Sequence, residues 1–199
     1  MLKKLFLIIT FICLFNFSES AYCQSIIAFG DSITQGYPYV LEPGKGRRIG
    51  GYEPYLESLL NIPVLNYGVG GENSGDGLDR IESVLLDNLD ASIVIILEGT
   101  NDGWWGVNFT KENLRGMVRI CRKYNKIPIL MTLTPDSRYP EKNLYNIEIR
   151  KLAHEEDVFL IDLYEWIIAY WDFLTYDGLH PNLDGYEYIA KIIAHHISN

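Results

Sequence analysis

The 199-residue chain is predicted to be an α/β protein, a five-stranded parallel sheet covered by helices on both faces. Two observations predict this. Five short apolar runs rich in β-branched residues recur along the sequence, and stretches of helical period separate them. No repeat, low-complexity tract or linker divides the pattern, and the apolar and charged fractions, 48% and 22%, are those of an ordinary globular protein, which excludes disordered and fibrous classes.

Taken in order, the first segment is "MLKKLFLIITFICLFNFSESAYCQS". Lys3 and Lys4, an apolar run from Leu5 to Phe15, and Ala21-Tyr22-Cys23 with small residues at alternate positions follow the plan of a secretory signal peptide. The run is too short to span a bilayer comfortably, and bulky Tyr22 argues against lipid attachment at Cys23. Residues 1–23 are therefore expected to be a cleaved signal, and residues 24–199 one mature domain. Such a protein would be secreted or periplasmic, with no stable membrane anchor after cleavage, and is expected to be a monomer.

The strands are expected at "SIIAF" (25–29), "IPVLNY" (62–67), "SIVIIL" (92–97), "IPILMTL" (127–133) and "VFLIDL" (158–163). Their continuous hydrophobicity suits strands buried on both faces. Helices are expected near 52–60, 77–87, 111–125, 141–156 and 184–197, and the Gly- and Pro-containing stretch 36–51 is a loop. Loss of the signal takes Lys3, Lys4 and Glu19 from totals of 17 basic and 26 acidic residues, leaving 15 against 25, a balance of −10. Nucleic acid and anionic membranes are poor partners for that charge. Cys13 and Cys23 leave with the signal, so no internal disulfide is available, and Cys121 fits a small core position in a helical pattern.

In parallel sheets, ligands bind beyond the carboxyl ends of the strands. At those ends lie "GDSIT", "GVGGENS" and "EGTNDG", and "YDGLHP" precedes the last helix. Ser32 follows a buried strand through Gly30 and Asp31, which would lift its hydroxyl to a helix start; alone, Ser32 or Asp31 could merely cap that helix. A serine is a poor nucleophile until a base takes its proton. His180 can be that base, and Asp177, three residues earlier, can hold its other nitrogen. Gly68, Gly70 and Gly71 can bring a backbone N–H close to a reacting carbonyl, and Asn101 can add a side-chain N–H; taken singly, these residues could simply form or cap turns. His154, His195 and His196 sit on charged or terminal helix and lack metal-site spacing.

Together, "GDSIT", "NYGVGGE", "GTND" and "DGLHP" resemble the four signature blocks of the SGNH, or GDSL-type, hydrolases, and the resemblance spans Ser25 to the last helix. It implies a flavodoxin-like three-layer α/β sandwich and a serine esterase that hydrolyses carboxylic esters or thioesters without a metal or other cofactor. It further implies Ser32, Asp177 and His180 as the triad, and Ser32, Gly71 and Asn101 as oxyanion donors. Gly71 fits the spacing from Asn66 better than Gly70 does. The start "GDSI" departs from the literal "GDSL" only in which apolar residue stands fourth. A classical α/β-hydrolase is excluded because the chain has no G-x-S-x-G elbow and its serine comes first. Trp104, Trp105, Tyr37, Tyr39 and Arg47 are candidate substrate-binding residues. The expected substrate is a small-molecule or glycan ester, with short or medium acyl groups favoured; a carbohydrate O-acetylesterase and a non-catalytic carbohydrate- or acyl-binding module are the alternatives.

Overall fold

Apolar runs without polar alternation can be buried only if both faces of their sheet are covered. In the computed structural model, which describes residues 25–39, 50–139, 141 and 143–198, they form one five-stranded sheet. The strands are β1 (Ser25–Gly30), β2 (Val64–Gly68), β3 (Ala91–Leu97), β4 (Ile127–Met131) and β5 (Phe159–Ile161). All neighbours are parallel, in the order β2-β1-β3-β4-β5. The order reverses between β1 and β3, so a cleft opens beyond their carboxyl ends. The expected signal, residues 1–23, and Arg47 lie outside the described residues, as do Lys45 and Arg48.

Eight helices are described: α1 (Ser32–Gln35), α2 (Glu53–Leu60), α3 (Ser74–Asp87), α4 (Val107–Lys123), α5 (Asn143–Glu155), α6 (Leu163–Ile167), α7 (Trp171–Leu174) and α8 (Leu183–Ser198). α3, α4 and α5 pack side by side as one layer, while α2 packs against α8 in the other. β1 is buried throughout, and Ile26, Ile27, Phe29, Val94, Ile95 and Ile96 form the centre of the core. Cys121 is buried there too, and burial pushes its thiol up to about 12, which makes it inert. No described helix is long and apolar enough to cross a membrane.

Boundaries moved where side chains compete for backbone groups. β4 stops at Met131 although the apolar run continues, because Asn146 of α5 takes both backbone groups of Leu133: its Oδ1 accepts from the N–H and its Nδ2 donates to the carbonyl. α3 begins three residues before the expected position, since Asn73 Oδ1 accepts from the amides of Gly75 and Asp76. The glycines of this first turn concealed it. At Gly77 the helix packs closely, since a Cβ would lie 3.0 Å from Met117 Cε.

Lys126 precedes β4 and is buried, its Nζ donating to the carbonyls of Ala91 (2.6 Å), Leu89 (2.8 Å) and Asn88 (3.3 Å). One ammonium thus closes the turn into β3. Lys126→Met should destabilise the fold by about 2 to 3 kcal/mol, because buried carbonyls lose a charged donor. Urea unfolding of the two proteins checks this, and a change under about 0.5 kcal/mol would mean that water satisfies the turn equally well.

Candidate active site

The sharp exit from β1 decides where Ser32 stands. Gly30 ends the strand so close to β3 that a Cβ would meet the Leu97 carbonyl oxygen at 2.1 Å, and only glycine fits. Asp31 then caps α1, its Oδ1 accepting from the Ile33 amide at 2.9 Å. Ser32 is the first residue of α1, with its Oγ 3.0 Å from His180 Nε2. The chain turns back at Gly36, which is left-handed at φ 94°.

His180 comes from the turn between α7 and α8. Asp177 Oδ2 lies 2.9 Å from His180 Nδ1, while Asp177 Oδ1 accepts from the backbone amides of Leu179 (3.0 Å) and His180 (2.8 Å). The carboxylate therefore shapes the turn and orients the ring together. Partial burial acts to raise the Asp177 pKa, but hydrogen bonds from the His180 amide, the His180 ring and the Leu179 amide outweigh it and hold the carboxyl at about 2. Asp177 stays ionised throughout the neutral range. The turn is pinned from outside, for the Gly178 carbonyl accepts from the Ser137 amide (2.8 Å) and from Trp171 Nε1 (3.1 Å). Sequence reading missed Ser137 and Trp171, because nothing in their local pattern shows that they reach the Gly178 carbonyl.

The loops that follow β2 and β3 carry the expected donors Gly71 and Asn101. Gly71 has φ +78° with nothing within 4 Å of a would-be Cβ, so it is the backbone angle that requires glycine. Gly70 differs, since a Cβ there would lie 2.5 Å from Gln35 Oε1. Among the described residues, the N–H groups of Ser32 and Gly71 have no protein acceptor. Asn101 makes no side-chain cap to the 3-10 turn it precedes; its Nδ2 donates to the Glu72 carbonyl at 2.7 Å, which fixes the direction of the second amide hydrogen. The next residue, Asp102, ties this loop to α3, its Oδ1 accepting from the Ser74 amide at 2.8 Å.

The rim is aromatic. Tyr37 packs on His180 with ring centroids 4.6 Å apart, and Tyr186 Oη donates to the Tyr37 carbonyl. Tyr39 meets Tyr176 and Tyr186 edge-on. Trp105 stacks on Phe109, and Trp104 is 95% exposed, so neither has a described contact with Ser32 or His180. His195 and His196 cluster with Trp166. Behind the site, burial with Asp31, Glu72 and Asp102 nearby pushes the Glu98 carboxyl well above the usual carboxylate range. Among the described residues, no group of three or more His, Cys, Asp or Glu side chains could hold a metal ion.

A serine hydroxyl bonded to an imidazole, which is bonded in turn to an ionised carboxylate, can make and break acyl bonds. The model of the GDSL-like Lipase/Acylhydrolase family matches residues 28–188. An arylesterase of Vibrio mimicus is 26% identical over 196 residues, covering 96% of both chains. The thioesterase 1/protease 1/lysophospholipase L1 of Escherichia coli K12 is 26% identical over 195 residues, covering 92% of this chain and 88% of that protein. Among solved structures, an acetylxylan esterase from Geobacillus stearothermophilus superposes with a TM-score of 0.75 at 21% identity, over 88% of this chain and 94% of that one.

Burial raises the Asp31 carboxyl to about 6, against the lowering pull of the Ile33 amide, Thr100 and His180. Between about pH 4 and pH 6 the folded state then holds a proton that the unfolded state has lost, so Asp31 lowers stability as pH rises through this window. Asp31→Asn keeps the cap but cannot ionise. Relative to the wild type it should gain about 3 kcal/mol between pH 4 and pH 7, from two pKa units at about 1.4 kcal/mol each. Urea unfolding at both pH values measures the change, and a gap that stays constant would show that Asp31 does not titrate there.

Proposed function

Because the chain belongs to the GDSL-like lipase/acylhydrolase family and is a serine esterase of that type, we propose that Ser32, His180 and Asp177 are its catalytic triad. The observation that carries this reading is the hydrogen-bonded path from Ser32 Oγ through the His180 ring to the Asp177 carboxylate. Ser32 Oγ attacks the ester carbonyl carbon as its proton passes to His180 Nε2, and the carbonyl electron pair moves to oxygen. Asp177 holds the opposite ring nitrogen and stabilises the imidazolium. The N–H groups of Ser32 and Gly71 and the Asn101 amide receive the oxyanion. Collapse of the intermediate expels the alcohol or thiol, which takes the proton from His180. Water then repeats the cycle on the acyl-serine and releases the acid. Every proton in the cycle has a donor and an acceptor among these residues, substrate and water.

The proposed substrates are carboxylic esters or thioesters with short or medium acyl groups. Exposed Tyr37 offers an apolar face beside His180, and the relatives' names, an arylesterase and a thioesterase/lysophospholipase, agree with this class. A glycan O-acetyl ester is the second reading, favoured by the open indole of Trp104, a flat surface on which a sugar ring can stack. The protein is proposed to act outside the cytoplasm as a monomer, after loss of residues 1–23. An acyl-chain-length series of aryl esters, run beside an acetylated polysaccharide, discriminates the two substrate classes.

Asn101 is the donor whose removal is most informative, because the oxyanion needs it more than the ground-state carbonyl does. Asn101→Ala should lower kcat on the order of 10²-fold to 10³-fold, about 3 to 4 kcal/mol, with KM little changed. Ser32→Ala should cost at least as much. Steady-state kinetics on preparations of matched melting temperature test this, and near wild-type kcat in folded Asn101→Ala would remove Asn101 from the oxyanion set.

A further inference from the structure

Arg80 lies on α3, outside every motif that suggested chemistry, yet its guanidinium touches three segments that lead to the proposed oxyanion donors. Nε donates to both Glu72 carboxylate oxygens, at 2.6 and 2.9 Å. Nη2 donates to the same carboxylate, to the Tyr67 carbonyl at 2.9 Å and to the Gly30 carbonyl at 3.3 Å. Its Cζ sits 3.9 Å above the Phe29 ring, which fixes the guanidinium plane from one side. The pair is largely withdrawn from water, with side-chain exposures of 22% for Arg80 and 6% for Glu72.

Each contact bears on one donor. Gly30 stands two residues before Ser32, Tyr67 leads into the glycine turn, and Glu72 directly follows Gly71. The Glu72 carbonyl accepts from Asn101 Nδ2, so the path runs from Arg80 through Glu72 to the Asn101 amide. Oxyanion stabilisation depends on donors held in place before charge develops, and displacement of one by a fraction of an ångström weakens it. The planar fork of arginine can hold a carboxylate and two carbonyls in fixed relation, which the point charge of lysine cannot do.

We propose that Arg80 is a positioning residue for the oxyanion hole, setting the Ser32, Gly71 and Asn101 donors in register through Glu72 and the ends of β1 and β2. This rests on the reading of those three groups as the oxyanion donors. Arg80 itself touches no reacting atom.

The test is a double-mutant cycle between Arg80→Met and Asn101→Ala, read as kcat and KM on a neutral aryl ester, with melting temperatures taken on the same samples. Arg80→Met is expected to lower kcat at least 10-fold with KM within about threefold, because the loss falls in the transition state. Arg80→Lys should recover only part of it. In the double mutant the two losses should fall short of multiplying, since part of the Arg80 effect passes through Asn101. A pair that merely stabilises the fold would lower the melting temperature while leaving kcat of the folded enzyme unchanged. Folded Arg80→Met with kcat within twofold of wild type, or losses that multiply fully, would overturn the proposal. Should Arg80→Met not fold, Glu72→Gln, which keeps the side-chain shape but removes the charge, takes its place in the cycle under the same criteria. Ser32→Ala is assayed in parallel. If it is inactive while Arg80→Met is fully active, the positioning proposal alone fails; if it is active, the triad reading fails first and takes this proposal with it.

Discussion

The pairing of β1 between β2 and β3 is the constraint on which the site depends. A central strand buried on both faces cannot shift without breaking ladders on both edges, so its carboxyl end is the most rigidly placed point on the rim. Gly30 and Asp31 convert that rigidity into the position of one hydroxyl. Because strand order reverses between β1 and β3, the connections leave in opposite directions and room remains for a substrate where Ser32 emerges.

Opposite Ser32, the histidine turn achieves its placement by other means. It is not part of the sheet; Asp177 organises it locally by accepting two backbone amides, and the Thr175 hydroxyl donates to the His180 carbonyl while accepting from the Gly178 amide. The ring nitrogen that faces Ser32 is thus fixed by a turn that is stable by its own hydrogen bonds and docked through Gly178. Two independently rigid pieces meet where Ser32 Oγ lies 3.0 Å from His180 Nε2.

Carboxyl groups surround this contact, and burial separates their behaviour. Asp177, held by donors, stays charged, whereas burial among other acids pushes the Glu98 carboxyl well above the usual range. Glu72 is buried with a guanidinium for company and serves as a strut. The acidic balance of the whole chain therefore does not carry over evenly to the carboxyls near the site, since burial raises Asp31 and Glu98 while donors hold Asp177 low.

The sequence by itself determined the five strands, the alternation with helices and the four loops that carry Ser32, Gly71, Asn101, Asp177 and His180, because these depend on local chemistry: apolar runs, glycine at turns and short-range spacing. Asp177 and His180 were legible as a pair because three residues separate them within one turn. Strand order, by contrast, depends on which hydrophobic faces meet across long stretches of chain, and only the tertiary structure decided it. The same holds for Asn101, which the sequence left free to cap a turn and which the fold instead bonds to Glu72. Arg80, Trp171 and Ser137 were invisible for the same reason: each acts on a backbone carbonyl, and a carbonyl has no sequence signature. Residue types specify what a side chain can do, but whose backbone it holds is set only when the layers close around the sheet.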